Sequence, residues 1–295
     1  MKKISLEDKE FPEILKQIKK PPQKIYYEGN IKILKSAGIA IIGSRNCTEY
    51  GKRMTKKFTK ELSNYGLTII SGMALGVDSI VHKSTLEVKG KTIAVLPCGL
   101  NNIYPKSNKQ LYKNIIDNDG LVITEYEPEE EAKSHKFLER NRIVSGLSIG
   151  ILVIEGGYRS GTSVTARMAK ESNKKVFCIP SSLENPKGLI PNLLIKQGNF
   201  IVTECEDIIS KYPELRLEKQ EKEEVNIEEN IPKECIKIYN LIKDNPIHIN
   251  EILRKSNLKL NEVNYQLMIL ELQGYIQSLP GKNYKRRIIW IVNRN

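Results

Sequence analysis

Short unbroken apolar runs recur along this chain, and longer stretches with helical spacing separate them. Residues 39–42, IAII, are too few for a helix and too continuous for a half-exposed strand, which predicts a strand buried on both faces. The strand ends at Gly43. Thr48 then stands as a helix N-cap, and Tyr50, Met54, Phe58 and Leu62 follow at helical spacing. The same punctuation repeats. Strands are predicted at 67–70, 92–96, 121–124, 149–154, 176–179 and 200–202. Helices are predicted from the turn SGMALGVD to residue 88, at 107–117, from residue 137 to 147, from about 162 to 171 and at 193–196. This alternation predicts an α/β fold with an extended, Rossmann-like, doubly wound and mainly parallel sheet.

The two ends read differently. Residues 1–20 are charged, with Phe11, Ile14, Leu15 and Ile18 on a helical stripe that Pro21 and Pro22 stop, so a short leader helix is expected. Residues 25–27 suit an edge strand, and the main domain is expected to occupy residues 21–210. The stretch RLEKQEKEEVNIEEN has almost nothing to bury and marks residues 211–230 as a charged linker. Beyond it, helices at 236–242, 249–253 and 263–272 precede a β pair running from 274–276 through Pro280 and Gly281 to 288–291. That is the outline of a small winged-helix domain over residues 231–295.

Charge narrows the choice of partner. Forty-seven Lys and Arg against thirty-five Asp and Glu give +12, which favours a polyanion, although a general bias toward Lys, Ile and Asn accounts for part of it. Cys47, Cys98, Cys178, Cys205 and Cys235 form no C-x-x-C pair, and His82, His135 and His248 are equally scattered, so neither a metal site nor a disulfide framework is expected. There is no apolar signal region at the start and no run of membrane-spanning length, which points to a soluble, cytoplasmic protein.

The chemistry concentrates at three glycine-bearing turns, after Gly43, at Gly72 and over residues 156–161. If their strands are neighbours, the turns converge on one crevice, where open α/β sheets bind anions at helix N-termini. Neither the dinucleotide fingerprint nor a P-loop is present, so no nucleotide cofactor is expected. Arg45, Arg140, Arg142 and Arg159 lie beside the turns and suit phosphate, Arg140 less clearly than Arg45 and Arg142. Phe137 fits either a base-stacking role or a core anchor, and its residue type alone favours the core. Asp78 and His82, four apart on a helix, read as a structural pair. Glu155, at the end of a buried strand, is either a catalytic carboxylate or an acceptor for loop N–H groups. The closing basic run, with Lys282, Lys285, Arg286, Arg287 and Arg294, would touch phosphate in a wing, though winged helices also serve as interaction modules.

Taken together, these stretches resemble the DNA-processing protein A family, DprA or Smf. The resemblance rests on IAIIGSR at 39–45 with Tyr50 and Gly51, SGMALGVDSIVH at 71–82, Gly99 with Tyr104 and Pro105, and Thr124 with Glu125. It continues in FLERNRI at 137–143 and EGGYRSGTSVTA at 155–166. It implies a single-stranded DNA-binding recombination mediator. Such a protein acts as a homodimer, without catalytic residues, and loads RecA onto incoming strands held by single-strand-binding protein during natural transformation and DNA processing. On this resemblance Ser44, Arg45, Ser71, Gly72, Ser160, Gly161 and Thr162 would grip phosphate. Phe137 would pack on a base, and Arg140, Asn141, Arg142 and Arg159 would line the pocket.

Two other readings compete. EGGYRSGT beside ERNR is similar to lysine-decarboxylase-like phosphoribohydrolases, but Glu155 replaces their proline and Thr165 sits where their catalytic glutamate belongs. A winged-helix regulator of duplex DNA would instead put the affinity in residues 231–295.

Overall fold

The computed structural model describes residues 2–158, 160–219, 231–243 and 245–286. The chain divides into two compact units, residues 1–221 and 222–295. In the first unit β1 (Lys2–Ser5), α1 (Glu13–Lys16) and β2 (Lys24–Gly29) precede the strand predicted first, β3 (Gly38–Ile42). There follow α2 (Glu49–Asn64), β4 (Thr68–Ser71), α3 (Val77–Glu87), β5 (Thr92–Val95), α4 (Lys109–Asp117), β6 (Leu121–Thr124) and α5 (Ser134–Gly146). The unit closes with β7 (Gly150–Val153), α6 (Gly161–Glu171), β8 (Lys175–Cys178), α7 (Leu189–Lys196), β9 (Phe200–Ile201) and α8 (Glu206–Ile209).

The described strands form one nine-stranded sheet in the order β1-β2-β6-β5-β4-β3-β7-β8-β9. Pairing is parallel from β6 through β9 and antiparallel where β1 meets β2 and β2 meets β6. Alternation along β3 explains the two faces. Ala40 and Ile42 pack with Ile143 and Val144 of α5 and Ala166 and Ala169 of α6, whereas Ile39 and Ile41 pack with Phe58 and Leu62 of α2 and Val81 of α3.

The expected leader helix is corrected. Residues 2–5 pair with residues 24–27 as an outer strand, and only one helical turn, α1, follows it. Phe11, Leu15 and Ile18 are buried as their stripe predicted, but Ile4 is buried with them, and one inward apolar residue is all that an edge strand requires. Residues 25–27 therefore lie inside the sheet rather than at its edge.

The second unit contains α9 (Ile236–Leu241), β10 (Ile247–His248), α10 (Ile249–Ser256), α11 (Leu260–Leu272), β11 (Ile276–Leu279) and β12 (Asn283–Arg286). The strands pair in the order β10-β12-β11. Ile238, Ile252, Leu267, Leu270 and Ile276 build a core of its own. The second hairpin strand begins two residues after Gly281, at Asn283, earlier than its apolar residues suggested. Residues 288–291 lie outside the described residues.

Candidate nucleic-acid interface

The chain leaves β3 toward β4, β5 and β6 on one side of the sheet and later returns to β7 on the other. Where the direction reverses, the loops beyond β3 and β7 separate and leave a crevice. A cavity of about 630 Å³ lies there, lined by Ser44 and Arg45 after β3, Gly72 after β4, Phe137 and Asn141 of α5, and Thr162 of α6. The three glycine-bearing turns do converge, because β4, β3 and β7 are adjacent.

Different helix starts face the cavity from the one expected. The N-terminus of α2 is already filled. Thr48 caps it by accepting from Gly51 N–H (3.1 Å), and the wholly buried Glu155 accepts from Thr48 N–H (2.9 Å) and from the Thr48 hydroxyl. Glu155 therefore resolves as an acceptor that holds the β3–α2 loop, with Asn185 Nδ2 at 3.4 Å as a third donor. The open start is that of α6, where Ser160, Gly161 and Thr162 line the cavity. The Ser160 hydroxyl is buried with no partner among the described residues.

Arg45 is exposed and lies over the Phe137 ring at 4.6 Å, and Tyr104 meets the same ring in a T-shaped arrangement, with ring centroids 5.4 Å apart. Phe137 is one turn into α5, half-buried, and part of the cavity wall rather than a core anchor. Tyr104, quoted above only within a motif, is 44% exposed and belongs to this aromatic and guanidinium group. Its signal in the sequence was an aromatic inside a polar loop.

The other arginines divide. Arg140 is buried in the floor, and its Nη1 donates to the carbonyls of Gly72 and Val95. Gly72 makes room for it, because a β-carbon there would strike the Arg140 guanidinium and force it to shift. Arg140 thus braces the 72–76 turn rather than reaching for solvent. Arg142 points elsewhere, pairs with Glu125 and is absent from the cavity wall. Residues two apart on a helix lie on nearly opposite faces, so Arg140 and Arg142 could not both face the crevice. Arg159 lies outside the described residues.

Ser71 is also withdrawn from the cavity. Its hydroxyl donates to Ile41 O (2.8 Å) inside the sheet. Ser44 remains in the wall, with its Oγ accepting from Asn46 N–H (3.2 Å). Asp78 does not meet His82. It accepts from Ala74 N–H (3.3 Å) and Gly72 N–H beneath the turn, and burial raises its pKa against the opposing pull of Arg140. His82 Nδ1 instead meets Thr92 Oγ1 at 2.8 Å. Thr92 spends its hydrogen on Ile69 O, so His82 is the donor and its ring is the Nδ1–H tautomer. Burial first, then Arg140, depress the His82 pKa to about 3.

Among the described residues no group of His, Cys, Asp and Glu is placed to hold a metal ion, and no helix is long and apolar enough to cross a membrane. In the second unit Arg286 is not free for phosphate. Its Nε donates to Ile242 O (2.7 Å) and its guanidinium lies over Tyr239 at 4.2 Å. Helix α11, in the position of a recognition helix, carries Glu262 and Glu271 but no Lys or Arg.

A donor-rich cavity at the switch point of a doubly wound sheet, followed by a winged-helix unit, defines a protein of the nucleic-acid-binding class. More particularly, the chain belongs to the DNA recombination-mediator protein A family, which matches residues 2–213, and the DprA winged helix domain matches residues 232–282. Protein Smf of Escherichia coli (strain K12) is 34% identical over 270 residues, 88% of this chain and 71% of that protein. DNA processing protein DprA of Bacillus subtilis (strain 168) is 37% identical over 74% of this chain and 73% of its own length. Among solved structures, DprA of Streptococcus pneumoniae aligns with a TM-score of 0.68 at 37% identity, covering 71% of this chain and 73% of that one. DNA processing protein A of Helicobacter pylori, whose structure is described for its single-stranded DNA binding mode, aligns at 0.65 with 32% identity, over 72% of this chain and 97% of its own.

Proposed function

We propose that this protein binds single-stranded DNA in the β3–β7 cavity and, as a cytoplasmic homodimer, transfers strands held by single-strand-binding protein to RecA. One observation carries the reading. Arg45 stacked on Phe137 stands at the mouth of a cavity whose far wall is the open start of α6, so a cation, an aromatic face and backbone donors are offered to one ligand. Phosphate suits the first and last of these, and an unpaired base suits the second. A base inside a duplex has no free face to stack.

Family membership supports the mediator role. An open sheet end supports the dimer: Phe200 and Ile201 of the edge strand β9 and Leu193 of α7 are 37%, 51% and 42% exposed. The hydrolase reading has less support, because Thr165, in the expected place of a catalytic glutamate, lines the cavity and donates to Gly161 O at 3.1 Å. The duplex-regulator reading gains nothing from an α11 without a basic residue.

The test is fluorescence anisotropy of labelled oligothymidine and of a matched duplex, titrated with the full chain at several salt concentrations. Arg45→Ala should weaken binding to all single strands alike and reduce the slope of log K against log salt by about 0.7, one phosphate contact. Preference for the duplex, or an unchanged slope, would defeat the proposal.

A further inference from the structure

The surroundings of Asn141 are asymmetric in hydrogen-bonding capacity. Arginine can only donate, so the 3.3 Å contact from Arg140 Nε to Asn141 Oδ1 fixes the orientation of the amide. Nδ2 is thereby turned away from Arg140, and it lies 3.9 Å from where a β-carbon would stand on Gly161, at the open start of α6. Nδ2 donates to no group among the described residues. Asp78 is the one carboxylate among the described lining residues, and it faces the N–H groups of Ala74 and Gly72. Beside Asn141 the N–H groups of Gly161 and Thr162 at the start of α6 also donate, while the hydroxyls of Ser160 and Thr162 can donate or accept, so donors outnumber acceptors in this corner of the cavity.

We infer that the cavity holds one base of the bound strand with its distal edge against Asn141 Nδ2, and selects bases with a carbonyl there, thymine and guanine, over the amino-bearing cytosine and adenine. This rests on the single-stranded DNA reading above. A distal carbonyl accepts from Nδ2, whereas a distal amino group sets donor against donor there and forfeits that hydrogen bond. The volume of about 630 Å³ admits purines as well as pyrimidines, so the distal group rather than size discriminates.

Oligomers of deoxyuridine and deoxycytidine, about 20 nucleotides long to exceed a single site, isolate the effect because their bases differ only at the 4-position and N3. The measurement is anisotropy with the full chain at pH 8. Deoxyuridine should bind about fivefold tighter, the value of one hydrogen bond. Asn141→Ala should bring the ratio close to one, and Asn141→Asp, which replaces the donor by an acceptor, should reverse it. Equal affinities in the unaltered protein, or a ratio that survives Asn141→Ala, would overturn the inference and leave single-strand binding standing. Failure of both oligomers to bind would overturn both.

Discussion

Replacing Glu155 by Gln separates a structural carboxylate from a reactive one. In the protein both Glu155 oxygens accept, Oε2 from Thr48 N–H at 2.9 Å and Oε1 from the Thr48 hydroxyl, with Asn185 Nδ2 at 3.4 Å. Glutamine keeps one acceptor and turns an amide donor toward a group that donates. One charge-assisted bond is lost and a buried N–H loses its partner, about 3 kcal/mol in all. For a unit of this size that lowers the melting temperature by roughly 6–12 °C. Thermal unfolding followed by circular dichroism reads the shift. Thr48→Ala alone should cost about 1 kcal/mol as a lost N-cap, and the double variant should fall short of the sum, because both changes remove one contact. A melting temperature within a degree of the original, together with loss of DNA binding, would refute the structural assignment and return Glu155 to the ligand site.

Phe137→Ala should weaken single-strand binding by roughly ten- to a hundredfold, the value of one base–aromatic stack, with little change in salt slope; anisotropy at two salt concentrations checks both. Arg142→Met should leave strand affinity within about twofold while costing about 1–3 kcal/mol of stability, because the partly buried Glu125 loses its counter-charge; a urea melt beside a binding titration decides it. His82, with a folded pKa of about 3 against an ordinary value of 6.5, contributes stability that is complete above pH 6.5 and is lost as pH falls toward 3, since the unfolded chain takes up a proton the folded one refuses. Between pH 6 and 4 the His82→Gln variant should lose stability less steeply than the unaltered protein, by up to about 1.4 kcal/mol per pH unit; parallel slopes would show that His82 does not titrate on unfolding.

Strands buried on both faces were the most legible part of the sequence. Residues 121–124 were placed to the residue, and residues 39–42 to within one, because an unbroken apolar run bounded by glycine leaves few alternatives. The strand at residues 2–5 was not legible, since Ile4 alone faces inward and three exposed polar neighbours resemble a solvated leader. At the site, the convergence of three turns could be read from glycine and strand order. The fate of each polar group could not. Whether Ser71, Glu155 or Arg140 serves the ligand or the fold depends on whether a backbone carbonyl or N–H stands within 3 Å, and that is settled by loops far apart in the chain. Spacing did hold one unused signal. Phe137 and Asn141, four apart, share the cavity face, and that rule already assigned Arg142 to another.

The contact of Arg45 with Phe137 has a kinetic meaning. A free arginine gives up about 2 kcal/mol of rotamer entropy when a ligand pins it. Here the guanidinium is restrained over the ring before any strand arrives, so much of that loss has already been taken during folding. The contact also ties the loop after β3 to α5 across the opening, leaving little to rearrange after encounter. Capture of a strand should therefore proceed in one fast bimolecular step, with variants at Arg45 and Phe137 differing from the unaltered protein chiefly in how soon the strand escapes.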